Sequence, residues 1–424
     1  MERASSAAVS PAGQGQQPNY TFPLTVVTAL FFMWGLLTSL NDILIPHLKS
    51  VYNLTYVQAM FVNLAFFSGY FLLSIPAGVL IRRTGYKAGA VIGLAVCAAG
   101  AALFYPAATS GYALFLFALF VLAAGITLLQ VAANPYVTVL GPAPTASSRL
   151  NMTQAFNSLG TVVGPLLGAS LILSHMPKVA DEKHMTAVEK LTQAQSVQGP
   201  YLALAATLAV LAILFAVIKL PIIRDEDAGA AAHGSPFKHK RLMLGVLAIF
   251  LYVGAEVSIG SVLINYMKDP SIAGFNEEIG GKYVAYYWGG AMFGRFIGSV
   301  VMRSISPGKV LAFNAATCIA LLCATAFGHG HFALFAVLAV GLFNSIMFPT
   351  IFSMSVHELG PLTSQGSGLL VMAIAGGAVV PLLQAQAADA IGLQISFLVP
   401  AVCYAYILYF GAKYARMFVD IKAV

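Results

Sequence analysis

Charged side chains are scarce in this chain. Of its 424 residues, Asp, Glu, Lys and Arg supply 9%, against 59% hydrophobic residues. A soluble domain carries about 25% charged residues, so a water-facing globular surface is excluded. With a mean hydropathy of +0.84, the chain reads as an integral membrane protein. Cysteine is nearly absent too. Cys97, Cys318, Cys323 and Cys403 all fall in apolar stretches, without a CxxC pair or a nearby His. That excludes a disulfide framework and a Cys/His metal site. A phosphate loop, a nucleophile motif and an extramembrane catalytic domain are also missing, so an enzyme or receptor would lack its working parts. No cofactor is expected. The net charge of +7 would point to nucleic acid in a soluble protein. In so apolar a chain it reports topology instead, and no nucleic-acid partner is expected.

What is present is a series of twelve apolar segments, at 24–48, 54–81, 87–108, 112–139, 149–174, 200–220, 242–267, 280–302, 309–327, 331–357, 363–390 and 394–417. Each is long enough to cross a bilayer with some tilt. Residues 1–20, rich in Ser, Ala, Pro, Gly and Gln, read as a disordered tail without a cleaved signal. The connection at 221–241 divides the chain into six-helix units at 21–220 and 242–424. The expected fold is therefore all-α, with twelve transmembrane helices in two six-helix bundles. Placing both termini in the cytoplasm puts 15 of the 22 Lys and Arg residues on that side and six on the other, with Arg295 inside a span. This distribution favours cytoplasmic termini.

The halves repeat. An offset of 219 or 220 aligns Gly35 with Gly254, Lys49 with Lys268, Gly78 with Gly298 and Arg83 with Arg303. An offset of 216 aligns Gly160 with Gly376 and Pro165 with Pro381. Bundles related in this way place a binding site between them.

Polar residues inside the spans are the candidates for function. Gln130 and Asn134 stand four apart on one helical face, and Asn151, Gln154 and Asn157 recur at steps of three on the next segment. In lipid these amides would be unpaired, so they must face protein or a water-filled cavity. Such a cluster suits an uncharged ligand with many hydroxyls. Asp42, Glu256 and Arg295 are the clear ionisable residues within spans, and such groups are functional candidates by default. Trp34, Thr38 and Asn41 follow an i, i+4, i+7 spacing beside Asp42, where an indole can stack on a sugar ring. From the second half, Asn344 and Gln384 join Glu256 as cavity candidates. Structural readings stand beside these. Asp42 would cap a broken helix, Trp34 would anchor or pack, Glu256 and Arg295 would form an ion pair, and Asn344 and Gln384 would bridge helices. Arg82, Arg83, Lys87 and Arg295 read as topology and gating residues. The histidines lie at span ends or in loops. Gly289, Gly290, Gly376 and Gly377 read as sites of close helix approach or bending.

GVLIRRTGYK at 78–87 resembles the loop between the second and third spans of the major facilitator superfamily, with Arg82 where an acidic residue is usual. WGLLTSLNDILIP (34–46), AFFSGYFLLSIPAG (65–78), AANPYVTVLGP (132–142) and RLNMTQAFNSLG (149–160) resemble the fucose:proton symporter family, in its glucose/galactose transporter-like branch. The resemblance implies a bacterial inner-membrane sugar symporter working by alternating access. It implies a coupling role for the first-span aspartate, here Asp42, and for a fourth-span glutamate. The glutamate position matches Gln130, which cannot take up and release a proton. Glu256 is therefore the expected second coupling carboxylate beside Asp42. The expected ligands are an aldohexose and a coupling cation, H+ or Na+, with H+ favoured by the resemblance. Fucose, fructose, N-acetylhexosamine and an uncoupled uniporter remain open alternatives. The expected surroundings are the lipid bilayer, with the protein a monomer in it.

Overall fold

The computed structural model describes residues 20–52, 56–171, 192, 195, 197–221 and 234–417. Among the described residues, helix forms the body of each of the twelve expected spans. In the first half these are α1 (Thr21–Tyr52), α2 (Tyr56–Thr84), α3 (Tyr86–Ser110), α4 (Tyr112–Val139), α5 (Ala146–Leu171) and α6 (Gln198–Val217). The second half continues with α7 (Lys240–Lys268), α8 (Glu277–Val301) and α9 (Pro307–Phe327). Its tenth span is made of α10 (Gly330–Asn344) and α11 (Met347–Val356). The eleventh is α12 (Thr363–Met372), a 3-10 turn at Ala373–Ala375 and α13 (Gly376–Ile391), and the last is α14 (Leu398–Lys413). α1 overruns the expected 24–48 at both ends. Pro23 sits in its first turn, where a missing N–H costs no hydrogen bond.

Backbone groups must be satisfied within the protein, because hydrocarbon offers them no partner. Proline tests this rule, since it removes one N–H and frees the carbonyl four residues earlier. Pro135 in α4 frees the carbonyl of Val131, which accepts the Ser367 hydroxyl from α12 at 3.0 Å. Pro349 in α11 frees the carbonyl of Ser345, at the break of the tenth span, and Arg295 Nε donates to it at 3.0 Å.

The two halves pack by the same scheme. α1 lies on α5, α2 on α4, and α3 on α4 and α6; correspondingly α7 lies on α13, α8 on α10, and α9 on α10 and α14. The repeat read from the sequence has its physical basis here. A Cβ at Gly35 or Gly160 would collide with the backbone of the partner helix, at Asn157 and Phe32 respectively. In the second half a Cβ at Gly254 would collide with Val380, and one at Gly376 with Phe250. Small residues of this kind let membrane helices approach closely, which substitutes for a hydrophobic drive that lipid does not supply. The two expected glycine pairs divide. Gly290 lies against Leu342 and Gly377 against Phe67, whereas Gly289 faces open space.

Large apolar side chains such as Phe71, Ile213, Phe332 and Val402 are exposed on the outer surface, as a bilayer requires. Where α4 ends, its last carbonyls are capped from α5. Arg149 donates to the carbonyls of Val137 (3.3 Å), Thr138 (2.8 Å) and Pro142 (2.8 Å).

The glycine contacts set a paired expectation. Gly35→Ala forces α1 and α5 apart and lowers the thermal midpoint of the purified protein by several degrees, as overpacking usually costs about 1–3 kcal/mol. Gly289→Ala leaves the midpoint at the parent value. Equal midpoints for the two variants in a fluorescence melt in detergent would refute this account of the helix contacts.

Candidate functional site

The halves meet through α2 with α12 and α5 with α8, with smaller contacts of α12 on α4 and α11 on α5. Hydrogen bonds join the halves from the end that carries Arg82, Arg83, Arg149 and Arg303 up to the middle of the spans. Ser147 Oγ and Ser353 Oγ are 2.7 Å apart, Ser148 Oγ donates to the Ser299 carbonyl at 2.5 Å, and Asn151 Nδ2 donates to Thr350 Oγ1 at 3.1 Å. Backbones also touch there, since a Cβ at Gly78 or Gly368 would meet the carbonyl of Ser364 or Ser74. Arg295 crowns this closure. From α8 it donates to the Gln154 carbonyl of α5 at 3.2 Å and to the Ser158 hydroxyl, while its Nε holds Ser345. Eleven residues separate Ser147 from Ser158, about 16 Å of helix rise. The closed zone thus reaches about halfway through a hydrocarbon core of about 30 Å.

Of the amides singled out in the sequence, Asn151 lies within the closed zone and Gln130, Asn134, Gln154 and Asn157 toward its upper limit, and all are buried. Gln130 Nε2 donates to the Tyr70 hydroxyl at 2.7 Å, which ties α4 to α2. Gln154 Nε2 donates to Asn134 Oδ1 at 3.2 Å, tying α5 to α4. Asn157 Nδ2 donates to the Phe31 carbonyl at 2.9 Å, on α1. Each amide is thereby held by one end only. Gln130 Oε1, Asn134 Nδ2, Asn151 Oδ1 and Asn344 Oδ1 are buried without a hydrogen-bond partner. Buried polar atoms are seldom left so, and those of Gln130, Asn134 and Asn344 lie toward the upper limit of the closure.

The facing wall is built by the second half. Glu256 on α7 is partly exposed and accepts one hydrogen bond from the protein, from the Tyr252 hydroxyl at 2.7 Å. Asn344 Nδ2 donates to the hydroxyls of Tyr287 (2.9 Å) and Tyr404 (3.1 Å). The Tyr287 hydroxyl leans toward the Glu256 carbonyl at 3.5 Å. Arg295 lies near enough to Glu256 to act on it electrostatically, yet the two form no ion pair: its Nε and Nη1 donate to neutral oxygens. The structural alternative of a Glu256–Arg295 pair does not describe this state.

Other candidates fall elsewhere. Gln384 is engaged at both ends, accepting from the Ser258 hydroxyl and donating to Ser396 Oγ at 3.3 Å, so its amide is consumed in helix packing. Trp34 is buried against Phe31, ring centroids 5.2 Å apart. Thr38, Asn41 and Asp42 belong to α1, but their side chains lie outside the described residues. Lys87 Nζ donates to the Ala216 carbonyl at 2.8 Å, joining α3 to the end of α6, and Arg82 and Arg83 close α2. Sequence reasoning passed over Tyr70, Ser158, Tyr252, Tyr287 and Tyr404. Tyr252 alone carried a local signal, four residues before Glu256 on the same helical face.

The closure sets its own expectation. In a Ser147→Cys/Ser353→Cys variant the two sulfurs fall within reach of each other, so a mild oxidant links them. The bond locks the halves in this state and stops transport, and a thiol reductant restores it. Failure of the pair to cross-link in the absence of ligand would contradict the described contact.

Comparison with known proteins agrees with this architecture. Residues 27–382 match the model of the Major Facilitator Superfamily. The chain is 56% identical over 398 residues to a glucose/galactose transporter of Brucella abortus, covering 93% of this chain and 94% of that protein. It is 38% identical over 414 residues to an L-fucose-proton symporter of Escherichia coli, covering 94% of each. Among solved structures, the Major Facilitator Superfamily transporter FucP in the outward conformation superimposes with a TM-score of 0.86 at 38% identity, over 93% of this chain and 99% of that one. The helical spans, their repeated packing and these matches place the chain in the Major Facilitator Superfamily, a family of multi-pass membrane transporters.

Proposed function

We propose that this protein is a cation-coupled sugar importer that takes up an aldohexose such as glucose or galactose by alternating access. The observation that carries the reading is the set of half-satisfied buried amides at the crown of the closure, Gln130, Asn134 and Asn344 above all. Neutral donors and acceptors fixed at one end match a ring of hydroxyls, each of which gives and accepts. Gln154 and Asn157 complete the first wall, and the Trp34 indole supplies an apolar face once the cleft relaxes around sugar. Similarity to the glucose/galactose transporter of Brucella abortus supports the hexose. Gln384 has no part in this seat.

Coupling rests on two carboxylates. Asp42 is assigned on sequence and resemblance. Glu256 is assigned because it is partly exposed, is held by one hydroxyl and has no ion-pair partner among the described residues. A carboxylate so placed can bind and release a proton without breaking a salt bridge. Protons are favoured over Na+ by similarity to the L-fucose-proton symporter of Escherichia coli. The moving bodies are residues 21–220 and 242–424, joined by 221–241, in a monomer of a bacterial inner membrane with both termini cytoplasmic. In that orientation the closed end is cytoplasmic, and the state described faces outward.

Two measurements on proteoliposomes test this. Sugar-induced alkalinisation and gradient-driven accumulation are expected for the parent and lost in Asp42→Asn, whereas Glu256→Gln keeps sugar counterflow but loses alkalinisation. Full ion-driven accumulation by Glu256→Gln would make that residue structural. Transport indifferent to both H+ and Na+ gradients would establish a uniporter instead. By calorimetry, Gln130→Ala and Gln154→Ala each weaken sugar binding by roughly 5- to 150-fold, since removing one buried partner costs about 1–3 kcal/mol. Parent-like affinity in both variants would move the sugar site elsewhere.

A further inference from the structure

Away from the central cleft, a groove of about 450 Å³ opens on the bilayer-facing surface between α8, α9 and α10. Its floor passes over Gly294 and Gly298, and its walls include Val301, Phe313 and Phe343. Phe313 and Phe343 meet edge to face, centroids 6.5 Å apart. Two polar side chains interrupt this apolar lining, Lys309 and Asn314. Lys309 is exposed in the first turn of α9, without a carboxylate in ion-pair range among the described residues. Asn314 lies five residues further along, about 7.5 Å deeper by helix rise. Its amide makes no hydrogen bond within the described residues.

Each feature names part of a ligand. An amide that faces hydrocarbon without a partner is costly, so its partner must come from the bilayer. Below a lipid phosphate, the polar groups available are the ester carbonyls of the glycerol backbone, which accept from an amide N–H. A lone ammonium one and a half turns nearer the membrane surface meets the phosphate. Gly294 and Gly298 draw the tenth span close to α8, and the groove left beside that contact, walled by Ile297, Val301, Phe313 and Phe343, offers an apolar track for an acyl chain. We propose that this groove binds one anionic glycerophospholipid, its chain along Gly294 and Gly298, its ester carbonyl on Asn314 and its head group on Lys309. A free phosphate ion would leave both the apolar walls and Asn314 unanswered. The site bears on the turn of α8 that carries Arg295, so its occupant braces the helix that holds the halves together. The inference requires only that the chain spans a bilayer and is independent of substrate and coupling.

Native mass spectrometry of the full-length protein tests it, by titration with phosphatidylglycerol and phosphatidylcholine of identical acyl chains. For the first lipid bound, the parent prefers phosphatidylglycerol about fivefold, the worth of one basic residue near an anionic surface. Lys309→Gln removes the preference without reducing phosphatidylcholine binding, Lys309→Arg keeps it, and Asn314→Leu weakens both lipids. Millimolar inorganic phosphate displaces neither. Equal binding of the two lipids by the parent, a preference that survives Lys309→Gln, or its loss in Lys309→Arg would each overturn the assignment. So would displacement by phosphate or unchanged binding in Asn314→Leu.

Discussion

A carbonyl oxygen that loses its helical partner inside a bilayer must find another within the protein, and the centre of this molecule is arranged around two such oxygens. Proline at 135 and at 349 frees Val131 and Ser345. The groups that answer them, Ser367 and Arg295, come from helices that form the contact between the halves. A local defect in helix bonding is thus converted into a long-range tie. The same rule governs the side chains: amides tolerated at this depth are tethered at one end, and the free ends gather where the halves separate.

The hydrogen bonds of the closure come from serine and threonine hydroxyls, amides, carbonyls and one guanidinium, beside a single edge-on ring contact of Phe156 with Phe296. Contacts of this kind exchange readily for water when an interface parts, because each group has an aqueous partner of similar strength. An apolar seal of the same extent would have to expose its surface to water on every cycle. Within each half, by contrast, the helices are locked by backbone contact at Gly35, Gly160, Gly254 and Gly376, which leaves no space for sliding. Firm packing inside the halves and exchangeable bonds between them divide the molecule into parts that hold and parts that separate.

Much of this was legible in the sequence, for physical reasons. Twelve spans follow from length and hydropathy, and the repeat followed from glycines whose spacing is dictated by helix contact, so its signal survived divergence elsewhere. The amides were legible because such groups are expensive in lipid. What escaped was the partner of each group. Tyr70 meets Gln130 across 60 residues of sequence and Arg295 meets Gln154 across 141, and no local pattern encodes a contact between helices distant in the chain. Tyrosines were hidden by their own amphipathy, since an aromatic ring reads as apolar until its hydroxyl is placed. Gln384 shows the converse: an amide in a span is read alike whether it awaits a ligand or joins two helices.

One asymmetry runs against the repeat. The fourth and fifth spans are single helices, α4 and α5, while their counterparts are each broken near mid-span, at Ser345–Ile346 and Ala373–Ala375. A helix interrupted in this way loses bending stiffness at the break. The two walls of the proposed seat accordingly differ as springs: α4 loses one bond at Pro135 yet runs on as a single helix beside α5, whereas the other wall is jointed at the level of Asn344. Under the proposed function, a sugar held between them would meet a continuous wall on one side and a yielding surface on the other. The continuous wall would then read the stereochemistry of the sugar, and the jointed wall would accommodate differences in bulk.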